Sequence, residues 1–377
     1  MGGFRILTIR GIPIRLHWSF LIVLPFLAFA FSRTFRTAAL VADVPPDQLV
    51  GSPLLWGLGV AVALFVSVLV HELAHSLYAL RKGGRVRGIT LLMVGGVSEI
   101  SEPPEKARQE AVMALVGPLV SLVLGGLFFA VHAASAAVSF NLRFAFFYLG
   151  TLNVFLGLFN LLPAFPMDGG RILRALLTDR MGAIRATTVA SRGGKVFAVF
   201  FGLWGLVTFN IFLLLVAFFV FIGAEAETRA VMVRAILGGL RVGDIMERGV
   251  LPLTGEMTVG AAAEQMLRDR RTVYVVVDQG RAIGVLSLED LQRIPLEQRF
   301  AVAIRAVVPE AAPVSAADDA TTALRLMSER DLSVVVVVEG GTVVGTLSRE
   351  DIARTLKLSE LEATQHAGHR PLSPLAR

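Results

Sequence analysis

Two histidines and a glutamate stand inside an apolar run, an environment that penalises all three. The run extends from Leu54 to Leu80, and His71-Glu72-Leu73-Ala74-His75 lies near its end. On a helix, residues four apart share a face, so both imidazoles can reach one ion, and Glu72 beside them can accept a proton from a water held there. Ionisable groups inside an apolar span are costly to bury and mark function by default. A polar cluster that merely packs helices is the competing explanation. A catalytic zinc takes three protein ligands and keeps a position open for water, so a third ligand must approach the same depth. The stretch from Asn160 to Arg171 offers Asp168. Pro163 and Pro166 break the helix there, and Gly169 with Gly170 permits a tight turn. Irregular backbone at membrane depth is tolerated only where it is buried in protein or lines a cavity. Asp168 is thus presented from an unwound helix end. His75 lies six residues before Arg81, roughly 9 Å of helix rise from that boundary, which makes the depths compatible. The other role open to Asp168 is the N-cap of a helix over Ile172–Leu177.

The elements that carry these residues follow from composition. Of the 377 residues, 54% are hydrophobic and 18% charged, against about 25% charged in soluble domains. The deficit is concentrated in the first 225 residues or so. Runs long enough for a bilayer, about 17–25 residues, occur at Leu16–Phe31, Leu54–Leu80, Ala111–Ala134, Phe144–Leu162 and Lys195–Gly223. The last is long enough to split around Thr208–Asn210 into a helical hairpin whose first helix starts near Ala186, giving about six spans. The first run lacks a small-residue cleavage site and reads as a retained span.

Arginines and lysines set the orientation. Arg5, Arg10 and Arg15 precede the first span; Arg81, Lys82, Arg85, Arg87, Lys106 and Arg108 lie between the second and third; Arg171, Arg174, Arg180 and Arg185 follow the fourth. All fall on one side if both termini are cytoplasmic, leaving Arg33, Arg36 and Arg143 opposite. The net charge of +6 therefore reads as membrane topology. No basic run interleaved with aromatics appears, so nucleic acid is not expected as a partner. The absence of cysteine excludes disulfides, thiolate metal sites and a cysteine nucleophile. His17 and Trp18 read as interfacial anchors.

With these two motifs in this order, the first 225 or so residues resemble the site-2 proteases, zinc metalloproteases that cleave substrates within the membrane. The resemblance implies His71, His75 and Asp168 as zinc ligands, Glu72 as general base and Asn160 as a polar group near the scissile carbonyl. It also implies that Val86–Ile100, a hairpin-like pair around Gly95-Gly96, dips into the membrane. Gly95, Gly96 and Val97 would then offer an edge strand to an unwound single-span substrate, as in β-augmentation. Gly117-Pro118 opens the third span as in that family, but the asparagine often found downstream of it is absent.

After Gly223 the composition becomes that of a soluble segment and contains an internal repeat. At an offset of 61 residues, Val273–Val277 matches Val334–Val338, Met266 matches Met327, and the turn from Gly284 to Asp290 matches that from Gly345 to Asp351. Each copy reads helix, strand, turn, strand, helix. This repeat resembles a tandem pair of CBS domains, a family whose clefts hold adenine nucleotides. The resemblance makes Ser287, Asp290, Ser348 and Asp351 candidates for ribose contact with AMP, ADP or ATP. Each serine is equally a helix N-cap with an acid in the first turn. CBS pairs also imply a homodimer.

The expected protein is thus a polytopic α-helical membrane protein of the cell membrane, with about six spans and a short re-entrant β-hairpin, followed by an α/β tandem CBS module. The expected divisions are a transmembrane metalloprotease domain over residues 1–225, a linker over 226–240, CBS copies over 241–297 and 298–360, and a disordered tail over 361–377. Two rivals are a catalytically inactive nucleotide-sensing scaffold and a gated metal transporter. An intact His71, Glu72, His75 and Asp168 argues against the first. Polar residues gathered at one depth, instead of spread along several spans, argue against the second.

Overall fold

The computed structural model describes residues 3–45, 51–93, 95–102, 106–135, 139–249, 251–278, 281–308, 312–340 and 342–368. The chain divides into two compact units, Met1–Val231 and Met232–Arg377.

The first unit opens with a hairpin, β1 (Gly3–Ile9) and β2 (Ile12–His17), where the sequence suggests a basic arm and the start of a span. Arg10 and Gly11 form its turn with φ of 48° and 83°, the left-handed pair that a two-residue hairpin loop requires. Ile12 and Ile14 are buried with Ile89 against Leu69, Leu73 and Leu77. The period-two alternation that buries them is visible in the sequence, but the even spacing of the arginines reads equally as topology. The first span accordingly starts at Trp18: α1 runs Trp18–Val41, with His17 Nδ1 accepting from the Ser19 amide as its N-cap.

Helix α2 (Pro53–Arg81) begins at a Ser52 cap followed by proline, the residue best tolerated in a first turn. The pair β3 (Arg85–Leu92) and β4 (Gly95–Glu102) follows, and β3 joins β2 in parallel to give a four-stranded sheet ordered β1-β2-β3-β4. Then come α3 (Ala107–Ala134), α4 (Phe140–Asn160), the shorter α5 (Asp168–Met181), α6 (Ala183–Val207) and α7 (Ile211–Leu237). Among the described residues, α1, α2, α3, α4 and α7 are long and apolar enough to cross a membrane. Helix α6 falls short of the same apolarity because Arg185, Arg192 and Lys195 lie in its first half. It meets α7 at the expected turn over Thr208–Asn210.

In the second unit each repeat copy folds alike. The first has β6 (Pro252–Thr254), α9 (Val259–Asp269), β7 (Val273–Asp278), β8 (Arg281–Ser287) and α10 (Leu288–Gln292). The second has β9 (Pro313–Ser315), α11 (Ala320–Glu329), β10 (Val334–Glu339), β11 (Thr342–Ser348) and α12 (Arg349–Gly368). Val275 and Val285 pack on Val334 and Val336, which joins the two sheets. Burial and the Asp269 carboxylate, which accepts from the Tyr274 hydroxyl at 2.6 Å, push the Tyr274 phenol up to about 12.

Helix runs through two of the expected divisions, the linker and the tail. Residues 226–237 are helical, being the last turns of α7. Leu237 and Val242, the latter opening the short α8 (Val242–Ile245), are buried in the core of the second copy. The strand β5 (Glu247–Arg248) pairs with β11, not with a strand of the first copy. The stretch from Leu237 to Arg248 thus packs in space with the second copy. The tail expected from residue 361 is helical to Gly368, because the stretch from Lys357 to Gln365 is rich in good helix formers; residues 369–377 lie outside the described ones. Replacing Leu237 by Ala should cost about 2–5 kcal/mol and lower hydrogen-exchange protection in β9, β10 and β11 of the full chain. Unchanged protection there would mean that residue 237 is only a connector.

Candidate metal centre

Helices α2, α3 and α5 converge on one point. His71 Nε2, His75 Nε2 and Asp168 Oδ2 lie 3.2 Å from one another, pair by pair. Both histidines are buried, and the Asp168 side chain is 15% exposed. Asp168 reaches this point because the chain between α4 and α5 is unwound. Met167, not Asp168, occupies the N-cap of α5, and no side chain caps that end. The capping role open to Asp168 is therefore not the one it takes.

The donor set fits a metal ion. His75 Nδ1 donates to the Met113 carbonyl at 2.7 Å, because a carbonyl can only accept. In the neutral tautomer of His75 this leaves Nε2 unprotonated, its lone pair facing the Asp168 oxygen, another acceptor. Two acceptors at 3.2 Å with no proton between them repel unless a cation lies between them. Ligand atoms around a tetrahedral zinc, each about 2.0–2.2 Å from it, stand roughly 3.3 Å apart, which is close to the spacing found. His71 Nδ1 lies 2.8 Å from the Ser121 hydroxyl. Both rings are thus oriented from their far nitrogen, the arrangement that fixes tautomer and aim in metal sites.

Helix α3 makes this approach possible. Met113, Gly117 and Ser121 recur every four residues and face α2. A Cβ at Gly117 would lie 2.2 Å from His75 Nε2 and 2.8 Å from His71 Nε2, so only glycine admits the ligand pair. The Gly117-Pro118 pair read from the sequence is accordingly the wall of the site, and Ser121 forms the hydrogen bond that orients His71.

Glu72 is held beside the ligands by the sheet. The Ser98 hydroxyl donates to Glu72 Oε2 at 2.6 Å and lies 3.2 Å from Ser76 Oγ. Gly96 sits directly over Glu72, since a Cβ there would be 2.5 Å from Glu72 Cγ. Gly95, at φ 136°, begins β4, and Val97 is exposed. Strand β4 is an edge strand of the described sheet, so one of its two unpaired edges belongs to the strand that meets Glu72. Asn160 ends α4 with its amide donating to the Leu156 carbonyl at 3.0 Å.

In the second unit, Ser287 and Asp290 hydrogen-bond each other as a capping box at the start of α10. Ser348 and Asp351 do the same at the start of α12. In each pair one carboxylate oxygen, Oδ2, serves the cap. The second oxygen of Asp351 lies 3.5 Å from Arg354.

Sequence reading missed Ser98, Ser121 and the Met113 carbonyl. The four-residue recurrence of Met113, Gly117 and Ser121 was the available signal for α3; nothing local marked Ser98.

Known proteins match both units. A family model described as Peptidase family M50 matches residues 59–146 and 131–201, and a CBS domain model matches 242–297 and 304–358. A zinc metalloprotease of Methanocaldococcus jannaschii is 33% identical over 96% of this chain and 98% of its own length. Stage IV sporulation protein FB of Bacillus subtilis is 28% identical over 38% of this chain and 49% of its own. Among solved structures, the site-2 protease from Methanocaldococcus jannaschii is 35% identical, with a TM-score of 0.44, over 60% of this chain and 96% of that one.

If Gly117 is the wall of the site, Gly117→Ala should lower zinc content at least ~10-fold while circular dichroism stays that of the wild type. Full zinc occupancy in that variant would contradict the packing described.

Proposed function

Because the chain belongs to peptidase family M50, as a zinc metalloendopeptidase of the site-2 protease type with a tandem CBS pair, we propose that it cleaves the transmembrane segments of single-span membrane proteins. The observation that carries this reading is the 3.2 Å triangle of His71, His75 and Asp168 beside Glu72 and the open edge of β4. His71, His75 and Asp168 hold the zinc. When bound, that ion supplies Lewis-acid polarisation of a carbonyl and lowers the pKa of water.

The chain's own residues do the rest. An extended substrate segment adds to the free edge of β4 along Gly95, Gly96 and Val97, its main chain pairing with the strand's unused amides and carbonyls. A helical substrate hides its carbonyls in its own hydrogen bonds, so unwinding onto a strand is what exposes the scissile bond. Glu72 takes the proton of the attacking water and passes it to the leaving amine. Ser98 keeps the carboxylate turned toward the strand. Asn160 exchanges its bond to Leu156 for one to the substrate carbonyl. The buried histidines and the apolar helices around them keep bulk water from competing for these contacts.

The chain sits in the cell membrane as a multi-pass protein with both termini cytoplasmic, an orientation supported by the loop arginines. Adenine nucleotide bound at Ser287 and Asp290, or at Ser348 and Asp351, regulates cleavage, with each aspartate giving its second oxygen to the ribose. Two copies pair through their CBS units. The matches to the CBS family support the nucleotide and the pairing.

Glu72→Gln tests the catalytic role. It should keep zinc at the wild-type level while kcat/KM on a single-span reporter in lipid vesicles falls about 10²–10⁴-fold. Cleavage at the wild-type rate by this variant would remove Glu72 from the mechanism.

A further inference from the structure

We infer that Glu227, on α7, is a positioning residue for Asp168 that acts through Arg171 and Arg174. This rests on the reading of His71, His75 and Asp168 as the zinc site. Asp168 begins α5, and Arg171 and Arg174 recur at three-residue steps after it. Glu227 Oε1 accepts from Arg171 at 3.0 Å, and its other oxygen lies 4.0 Å from Arg174. Arg174 also pairs with Glu110 of α3. Two carboxylates from two different helices thus hold two guanidinium groups of one short helix, and the Arg174 and Glu110 side chains are only 17% and 18% exposed. The pairs fix the rotation of α5 about its own axis.

That rotation matters because an aspartate has only two side-chain torsions. With so short a side chain, the phase of the helix decides where Oδ2 lies, and Oδ2 must stand 3.2 Å from both imidazole nitrogens. Without the Glu227 charge, Arg171 and Arg174 become like charges at helical spacing with one compensating carboxylate fewer, which is destabilising. The helix then relaxes by turning one guanidinium outward, and Asp168 turns with it.

The packing of α7 one turn earlier points to the same role. A Cβ at Gly223 would lie 2.8 Å from the Pro166 ring. Ala224 is fully buried against Phe165, and its carbonyl accepts from Ser191 at 2.8 Å. The Phe165 amide in turn donates to the Ala190 carbonyl at 3.1 Å, and Arg174 lies over the Phe165 ring, 5.3 Å from its centroid. The stretch of α7 from Gly223 to Glu227 therefore grips both the unwound segment that precedes Asp168 and the helix that follows it. None of these residues touches the ligand atoms, so the effect is on aim.

The test is the rate at which full-length protein in detergent loses zinc to a fixed excess of EDTA, well below its unfolding temperature. Wild type, Glu227→Gln, Glu227→Asp and Asp168→Ala would be compared. Glu227→Gln should lose zinc about 10-fold faster, with kcat lowered and KM unchanged. Glu227→Asp, which keeps the charge, should stay within about 3-fold of wild type on the same scale. A residue that merely stabilises the fold would lower the unfolding temperature and leave the zinc-loss rate alone; that result in Glu227→Gln overturns the inference. Should Glu227→Gln fail to fold, Glu227→Asp decides, since zinc loss there as fast as in Asp168→Ala would equally overturn it. Wild-type protein that holds no zinc would instead defeat the metal reading itself.

Discussion

Three lone-pair atoms at one buried point, the Nε2 atoms of His71 and His75 and an oxygen of Asp168, constrain the membrane unit more than any apolar contact does. Polar groups left unpaired in such surroundings each cost several kcal/mol, and an ion bound by all three atoms offsets that cost. Their convergence dictates the rest. The histidines must lie four apart on a continuous helix, so α2 is long and unbroken. Asp168 must enter from another direction, so the chain between α4 and α5 cannot be helical. Helix α3 must come close enough to orient both rings, which rules out any side chain at Gly117.

The same constraint places the sheet. Glu72 shares the helix with the ligands but points beside them, where β4 meets it through Gly96 and Ser98. A strand edge is a template for pairing with another chain, and soluble proteins usually cover such edges. Here the edge lies next to Glu72, where the proposed cleavage of a helical substrate would need an extended segment to be held. The parallel pairing of β2 with β3 extends the sheet on its other side to β1, and of the two edge strands β4 is the one that meets Glu72.

Much of this was legible in the sequence, because the chemistry is written in local spacing. The histidine pair follows from the period of one helix, and Asp168 from prolines and glycines that leave the chain few alternatives. The strands around Gly95 and Gly96 and the repeat at an offset of 61 residues were equally readable. The N-terminal hairpin was hidden because Arg5, Arg10 and Arg15 serve both a membrane boundary and the outer face of a strand, and because Leu16 runs into an apolar helix. The pairing of β5 with β11 was hidden for another reason: two similar copies offer equivalent edges, and the repeat does not say which one a flanking segment joins. Contacts such as Ser98 with Glu72 or Arg171 with Glu227 span 26 and 56 residues of sequence. They are set by which helices pack together, and a single sequence carries no record of that. At Ser287 and Ser348 the cap visible in the sequence is the arrangement found, and it occupies one carboxylate oxygen of each pair.

The most direct measurement is zinc-edge X-ray absorption on the purified protein in lipid. Two imidazole nitrogens at about 2.0–2.1 Å, with the remaining first-shell atoms oxygen at about 2.0–2.2 Å, is the coordination that His71, His75 and Asp168 predict. A spectrum with fewer than two imidazoles, or with six oxygens at longer distance, would contradict a zinc held at that triangle.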